Sequence, residues 1–138
     1  MILYLDTSSL VKLYVEEDGS SAVRGLVESA STVATSVIAY PEARGAFARR
    51  CREGSLTRAE HDRVKSDFDL DWPHLLRMDV NGTIARHAGE LAERHSLRGL
   101  DSLHLACYLA LCSRVPDGSV ELSCFDETLG IAAVAARE

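Results

Sequence analysis

Apolar residues open the chain as an unbroken run, Ile2 to Leu5, which stops at Asp6. A run without polar alternation suits a strand buried on both faces. From Ser8 to Val15 the pattern changes, with Leu10, Leu13 and Tyr14 at helical spacing. Asp18-Gly19-Ser20-Ser21 reads as a turn and cap, and Ala22 to Ala30 as a helix with Val23, Leu26 and Val27 on one face. Thr32 to Thr35, rich in β-branched residues, predicts a second short strand. The stretch after Ser36 predicts a helix that begins near Pro41 and ends near Gly54. Thr57-Arg58-Ala59-Glu60 is a capping box for a fourth helix, which Trp72-Pro73 ends.

The second half repeats the alternation. Leu75 to Val80 predicts a weaker strand, and Asn81 caps a helix from Thr83 to about His95. Gly99 breaks the chain before an apolar helix that Asp101 starts, running to Ala110. Pro116-Asp117-Gly118 is a turn, Val120 to Phe125 a strand that also ends in an aspartate, Asp126, and Glu127 to about Ala136 a last helix. Strands alternating with helices predict an α/β fold of three layers, a central parallel sheet with helices on both faces. No repeat, low-complexity stretch or linker divides the chain, so residues 1–138 are expected to form one domain.

Composition adjusts this picture little. Hydrophobic residues are 46% of the chain, enough for a core without metal or disulfide staples. The apolar runs are too short to span a bilayer, and the N-terminus has no signal-peptide pattern. Cys51, Cys107, Cys112 and Cys124 form no CxxC pair and have no zinc spacing with the five histidines. Reduced thiols in a cytoplasmic protein are expected. The formal net charge of −6 argues against a general nucleic-acid coat. It leaves room for a nuclease whose acidic site recruits a cation.

Four acids share one kind of position. Asp6 and Asp126 close predicted strands, Glu42 lies near the start of the helix after the second strand, and Asp101 starts the apolar helix. In a parallel sheet, strand C-termini and the following helix N-termini lie at one edge. Oxygen-only ligands gathered there suit Mg²⁺ or Mn²⁺. Taken singly, each acid is more often a helix cap than a metal ligand.

The segments YLDTSSLVKLYVEEDGS, TSVIAYPEARGAFAR, LRGLDSLHLA and CFDETLGIAA occur in an order that resembles PIN domains, most closely VapC-type toxins of bacterial and archaeal toxin–antitoxin pairs. The resemblance spans nearly the whole chain. It implies a Rossmann-like PIN domain, a Mg²⁺- or Mn²⁺-dependent endoribonuclease acting on RNA, a cognate antitoxin and a homodimer. It places Asp6, Glu42 and Asp101 on the family's three central acids and Asp126 on its more variable fourth. Thr7 or Ser8 then supports Asp6 by a hydrogen bond behind the metal. Cys124 stands where a hydroxyl residue is common, which leaves the orientation of Asp126 open, and Ser102 replaces a frequent alanine.

Cations near these acids are candidates for RNA phosphate contacts. Arg49 lies two helical turns beyond Glu42, Arg44 belongs to the same basic helix, and Lys12 is a weaker candidate. A solvated helix face explains the same pattern. His104, three residues after Asp101, offers a base or a phosphate contact, but a packed, hydrogen-bonded histidine is the preferred reading. Phe68, Leu70, Trp72, Leu75 and Leu76 suit either core or a patch for a dimer or antitoxin.

Other classes fit less well. A haloacid-dehalogenase-type site needs a second Asp where Ser8 stands, and a receiver domain needs a late Lys, whereas no Lys follows Lys65. A PIN nuclease of RNA processing or DNA without an antitoxin remains an alternative. So does a PIN-like binding module, although that would be expected to have lost acids.

Overall fold

The computed structural model describes residues 1–137. Four parallel strands, β1 (Ile2–Leu5), β2 (Thr32–Ser36), β3 (Leu76–Met78) and β4 (Val120–Ser123), form a sheet in the order β3-β2-β1-β4. β1 is central, with Ile2 opposite Thr32 on one side and Val120 on the other. The chain builds outward from β1 through β2 to β3, then crosses back to lay β4 beside β1. The strand order therefore reverses between β1 and β4, where open α/β sheets place their ligand crevice at the strand C-termini.

Among the described residues seven α-helices cover the sheet: α1 (Thr7–Val11), α2 (Ser20–Ser29), α3 (Ala39–Arg52), α4 (Arg58–Asp71), α5 (Gly82–His95), α6 (Gly99–Arg114) and α7 (Glu127–Arg137). Side-chain alternation in β1 divides the core in two. Leu3 and Leu5 pack with Leu10, Val23, Phe47 and Phe68 of α1 to α4. Tyr4 points the other way, among Leu91, Leu105, Leu111 and Leu129 of α5 to α7. This is the predicted three-layer arrangement, with both sheet faces buried.

Element ends differ from the sequence reading in informative places. The first helix ends at Val11, because Lys12, Leu13 and Tyr14 donate to carbonyls three residues back and tighten the chain into a 3₁₀-like turn. α6 begins at Gly99, so Asp101 occupies its first turn rather than its start. β4 stops at Ser123, and Asp126 lies beyond it as a cap, its Oδ1 accepting from Leu129 N at 2.8 Å. The Thr57–Glu60 capping box is present as read, with both reciprocal bonds.

Phe68 is fully buried, with Tyr14, Tyr40, Phe47 and Trp72 ring centroids 5.3–5.6 Å away. That part of the ambiguous apolar group is core, whereas Leu70 and Leu76 are exposed. All four cysteines are free thiols. Among the described residues no helix is long and apolar enough to cross a membrane.

Candidate active site

Asp6 leaves β1 at the point where strand order reverses. Its backbone N–H donates to Ser123 O of β4, so the central strand and its neighbour end together. The carboxylate is buried and caps α1, accepting from Ser9 N at 3.0 Å and from the Ser8 hydroxyl at 2.7 Å, both at Oδ1. The Ser9 and Ser123 hydroxyls are 2.9 Å apart and tie the helix start to β4. Asp6 is thus the helix cap that sequence alone suggested, and it also faces a cavity.

That cavity, of about 340 Å³, is lined by Asp6, Thr7, Ser8, Glu42, Arg98, Asp101, His104, Phe125 and Asp126. All four acids and both expected hydroxyl residues meet there. A larger hollow of about 500 Å³ along α5 holds a single carboxylate, Glu90, among Gly82, Thr83, Arg86 and His87, and shares nothing with the convergence point.

Glu42 projects from the first turn of α3. Its Oε1 accepts from the Thr7 hydroxyl at 2.6 Å and from His104 Nε2 at 3.1 Å. Thr7 has one hydroxyl hydrogen and gives it to Glu42, so His104 Nε2 carries the hydrogen in its 2.9 Å contact with Thr7 Oγ1. The other ring nitrogen, Nδ1, lies 2.8 Å from the Tyr4 hydroxyl inside the core. The preferred reading of a packed, hydrogen-bonded His104 agrees with this geometry. Its partners make it the link between the core and Glu42.

Burial affects the two carboxylates differently. Desolvation raises the Asp6 pKa above its ordinary value, and the hydrogen bonds from Ser9 and Ser8 only partly oppose it. Glu42 is desolvated as well, but bonds from His104 and Thr7, helped by the charge of Arg98, bring its pKa below the ordinary value. Burial, followed by the nearby charge of Asp6, pushes the Cys124 thiol up to about 11, so this cysteine is a neutral thiol. Its Sγ lies 3.7 Å from Asp126 O, and the cap bond to Leu129 orients the Asp126 side chain.

Arg98 is the cation that sequence reasoning missed. Its guanidinium donates to Asp101 Oδ2 from Nε at 3.0 Å and from Nη2 at 2.9 Å, and Nη2 lies 3.7 Å from Asp126 Oδ2. The i, i+3 spacing to Asp101 was the available signal. The three expected phosphate cations do not line the cavity. Lys12 pairs with Glu17 at 3.0 Å, and Arg44 donates to the Tyr40 hydroxyl and approaches Asp69. Arg49 is exposed on α3 and does not line the cavity.

As the side chains stand, no three His, Cys, Asp or Glu residues among those described are close enough to share an ion. The acids line the cavity rather than closing on its centre, and Arg98 supplies positive charge between Asp101 and Asp126. The donor set is nonetheless all oxygen, and the unfavourable charge on buried Asp6 would be relieved by a hard cation. The residues fit Mg²⁺ or Mn²⁺ in chemistry.

Comparison with known proteins identifies the family. Ribonuclease VapC45 of Mycobacterium tuberculosis strain CDC 1551 and ribonuclease VapC49 of strain H37Rv are each 36% identical to this chain over 135 residues, covering 98% of it and 91% of the relative. The crystal structure of FitAcB from Neisseria gonorrhoeae superposes with a TM-score of 0.66 at 18% identity, covering 97% of this chain and 94% of that one. VapBC2 from Rickettsia felis, crystallised with a DNA fragment from its promoter, gives 0.58 at 18% identity over 90% of this chain and 100% of that one. Those two likenesses establish the fold. With the PIN domain family matching residues 3–115 and relatives aligned along almost its full length, this chain belongs to the PIN-domain family.

Proposed function

We propose that this protein is a Mg²⁺- or Mn²⁺-dependent endoribonuclease and the toxin of a VapBC-type toxin–antitoxin pair, with residues 1–138 acting as one PIN domain. The observation that carries the reading is the meeting of Asp6, Glu42, Asp101 and Asp126 in one cavity at the strand-order reversal. The two relatives named as VapC ribonucleases support the substrate. A cognate antitoxin and a homodimer belong to the same reading.

Asp6, Glu42, Asp101 and Asp126 would hold the metal. When bound, Mg²⁺ or Mn²⁺ supplies an activated water and positive charge for the phosphodiester. Ser8 and Ser9 hold the Asp6 carboxylate in one rotamer, and Thr7 with His104 does the same for Glu42. No histidine is required as the base, and the Nε2 hydrogen of His104 already serves Thr7 and Glu42.

Purified protein is expected to cut single-stranded RNA with Mg²⁺ or Mn²⁺ and to stop in excess chelator. Full cleavage in chelator would overturn the metal mechanism. Cutting of DNA but not RNA would favour the alternative of a PIN nuclease without an antitoxin.

Arg98 makes a sharper test, since it is exposed and meets the acids through two hydrogen bonds to Asp101 and through charge on Asp126. In Arg98→Gln the guanidinium no longer competes for Asp101, so Mn²⁺ is expected to bind at least as tightly as in the parent. RNA is expected to bind more weakly, because the cavity loses its cation. Calorimetry with Mn²⁺ and a salt titration of RNA binding read the two effects separately. Weaker Mn²⁺ binding in the variant would mean that Arg98 organises the acids rather than competing with a metal.

A further inference from the structure

We propose that Phe125 is a base-stacking platform at the mouth of the acidic cavity, receiving an unpaired nucleobase of the RNA whose backbone the acids engage. The inference rests on the ribonuclease reading above.

Phe125 lines the cavity immediately before Asp126, yet 49% of it is exposed. Its apolar character fitted a longer β4, but the strand ends at Ser123 and the ring has no place in either core. The ring is seated nevertheless. Lys12 Nζ stands over it at 4.6 Å from the centroid. That ammonium is held by Glu17 Oε1 at 3.0 Å, and Glu17 Oε2 accepts from Arg50 at 2.7 Å. Gly19 meets the ring edge so closely that a Cβ there would come within 2.7 Å of Cε1 and 2.8 Å of Cζ. Gly19 also has a φ of +93°, where side chains are strained, so glycine both makes the turn and leaves room for the ring.

Lys12 and Gly19 thus fix an aromatic surface beside a site for phosphodiesters. An exposed ring braced in this way offers a base a flat partner at little ordering cost. It needs no base-edge hydrogen bonds and so tolerates sequence. Lys12, expected from sequence to touch phosphate, acts instead as the support of the ring. The substrate class is single-stranded RNA, because a paired base has both faces covered by its own stack.

The experiment compares the parent with Phe125→Ala, Phe125→Leu and Phe125→Trp on a fluorescent single-stranded oligoribonucleotide. Anisotropy in chelator measures binding without cleavage, and initial rates with Mn²⁺ give kcat and KM. Phe125→Ala and Phe125→Leu are expected to raise Kd and KM about tenfold, with kcat within about twofold of the parent. Trp is expected to bind as well as Phe or better. A purely structural role would be rescued by Leu and not by Trp. In the parent, one abasic nucleotide placed along the oligonucleotide should weaken binding at one position, and in Phe125→Ala that position should no longer stand out. If the parent binds and cleaves RNA but all three variants match it, the platform is overturned and the ribonuclease reading survives. The same holds if Phe125→Ala loses only its affinity for an antitoxin. If the parent neither binds nor cleaves RNA, the reading fails and the platform falls with it.

Discussion

Asp6→Asn is expected to abolish RNA cleavage, by well over a hundredfold, while the metal-free protein stays folded and at least as stable as the parent. Loss of an outer-shell partner alone typically costs 10- to 100-fold, and Asp6 is the most buried of the four acids. The stability half of the result follows from its environment. Asp6 has a folded-state pKa raised above 3.8 by desolvation. A carboxyl raised on folding holds its proton more tightly in the native state. Its contribution to stability is therefore greatest below pH 3.8 and declines as pH rises through the folded pKa. At neutral pH the ionised side chain is a net cost, which Asn removes while keeping an acceptor for Ser9 N. Glu42 acts in the opposite sense. Its pKa is depressed on folding, so its contribution is present above pH 4.5 and fades as pH falls through the folded pKa.

Mg²⁺ at a hundredfold excess over its dissociation constant would stabilise the parent by about 2.7 kcal/mol, and Asp6→Asn much less. Thermal melts of both proteins with and without Mg²⁺ read this directly, alongside cleavage and growth arrest on expression. A folded Asn variant that arrests growth like the parent would place the toxicity outside this cavity. So would equal Mg²⁺ shifts in the two proteins place Asp6 outside the metal site.

The second large effect is expected at His104. Ala there removes a buried ring that Tyr4, Thr7 and Glu42 all contact. The Tyr4 hydroxyl is left buried without its partner, a loss of about 1–3 kcal/mol beyond that of the cavity created. Glu42 loses one of the two donors that fix its rotamer, and metal affinity or kcat is expected to fall about 10- to 100-fold. These effects separate on measurement. Well below the melting temperature the variant is fully folded, so a defect that persists there belongs to positioning and not to unfolding. His104→Gln, which keeps an amide donor for Glu42, is expected to recover part of the activity. Full activity in folded His104→Ala would show that Thr7 alone orients Glu42.

Much of the molecule was legible in local pattern. The strands β1 and β2, the capped helices α4 and α5 and the apolar α6 announce themselves through periodicity and caps, which depend on neighbours a few residues away. Parallel topology follows from the alternation of strand and helix, and it alone implies that Asp6, Glu42 and the later acids lie at one edge. Resemblance then singled out these four from the 21 acidic residues of the chain.

What the sequence could not decide was set by contacts between distant segments. Lys12 and Arg98 are both cations near an acid of the site, yet Glu17 and Phe125 hold Lys12 aside while Arg98 bridges Asp101 and Asp126. Which cation reaches the cavity depends on the geometry of two turns, and local spacing does not encode it. His104 follows Asp101 on the same helix, but its partners come from residues 4, 7 and 42, brought together only when α6 and α3 pack against β1. Phe125 looked like the end of a strand because its composition fits one. The ladder stops at Ser123, since Asp126 caps α7 and the intervening residues turn toward it. Residue type and periodicity thus determined the sheet, its helical layers and the edge where the acids gather. Packing decided which of them are desolvated, which are paired, and which side chains stand beside them, because those energies depend on the full three-dimensional surroundings of each group.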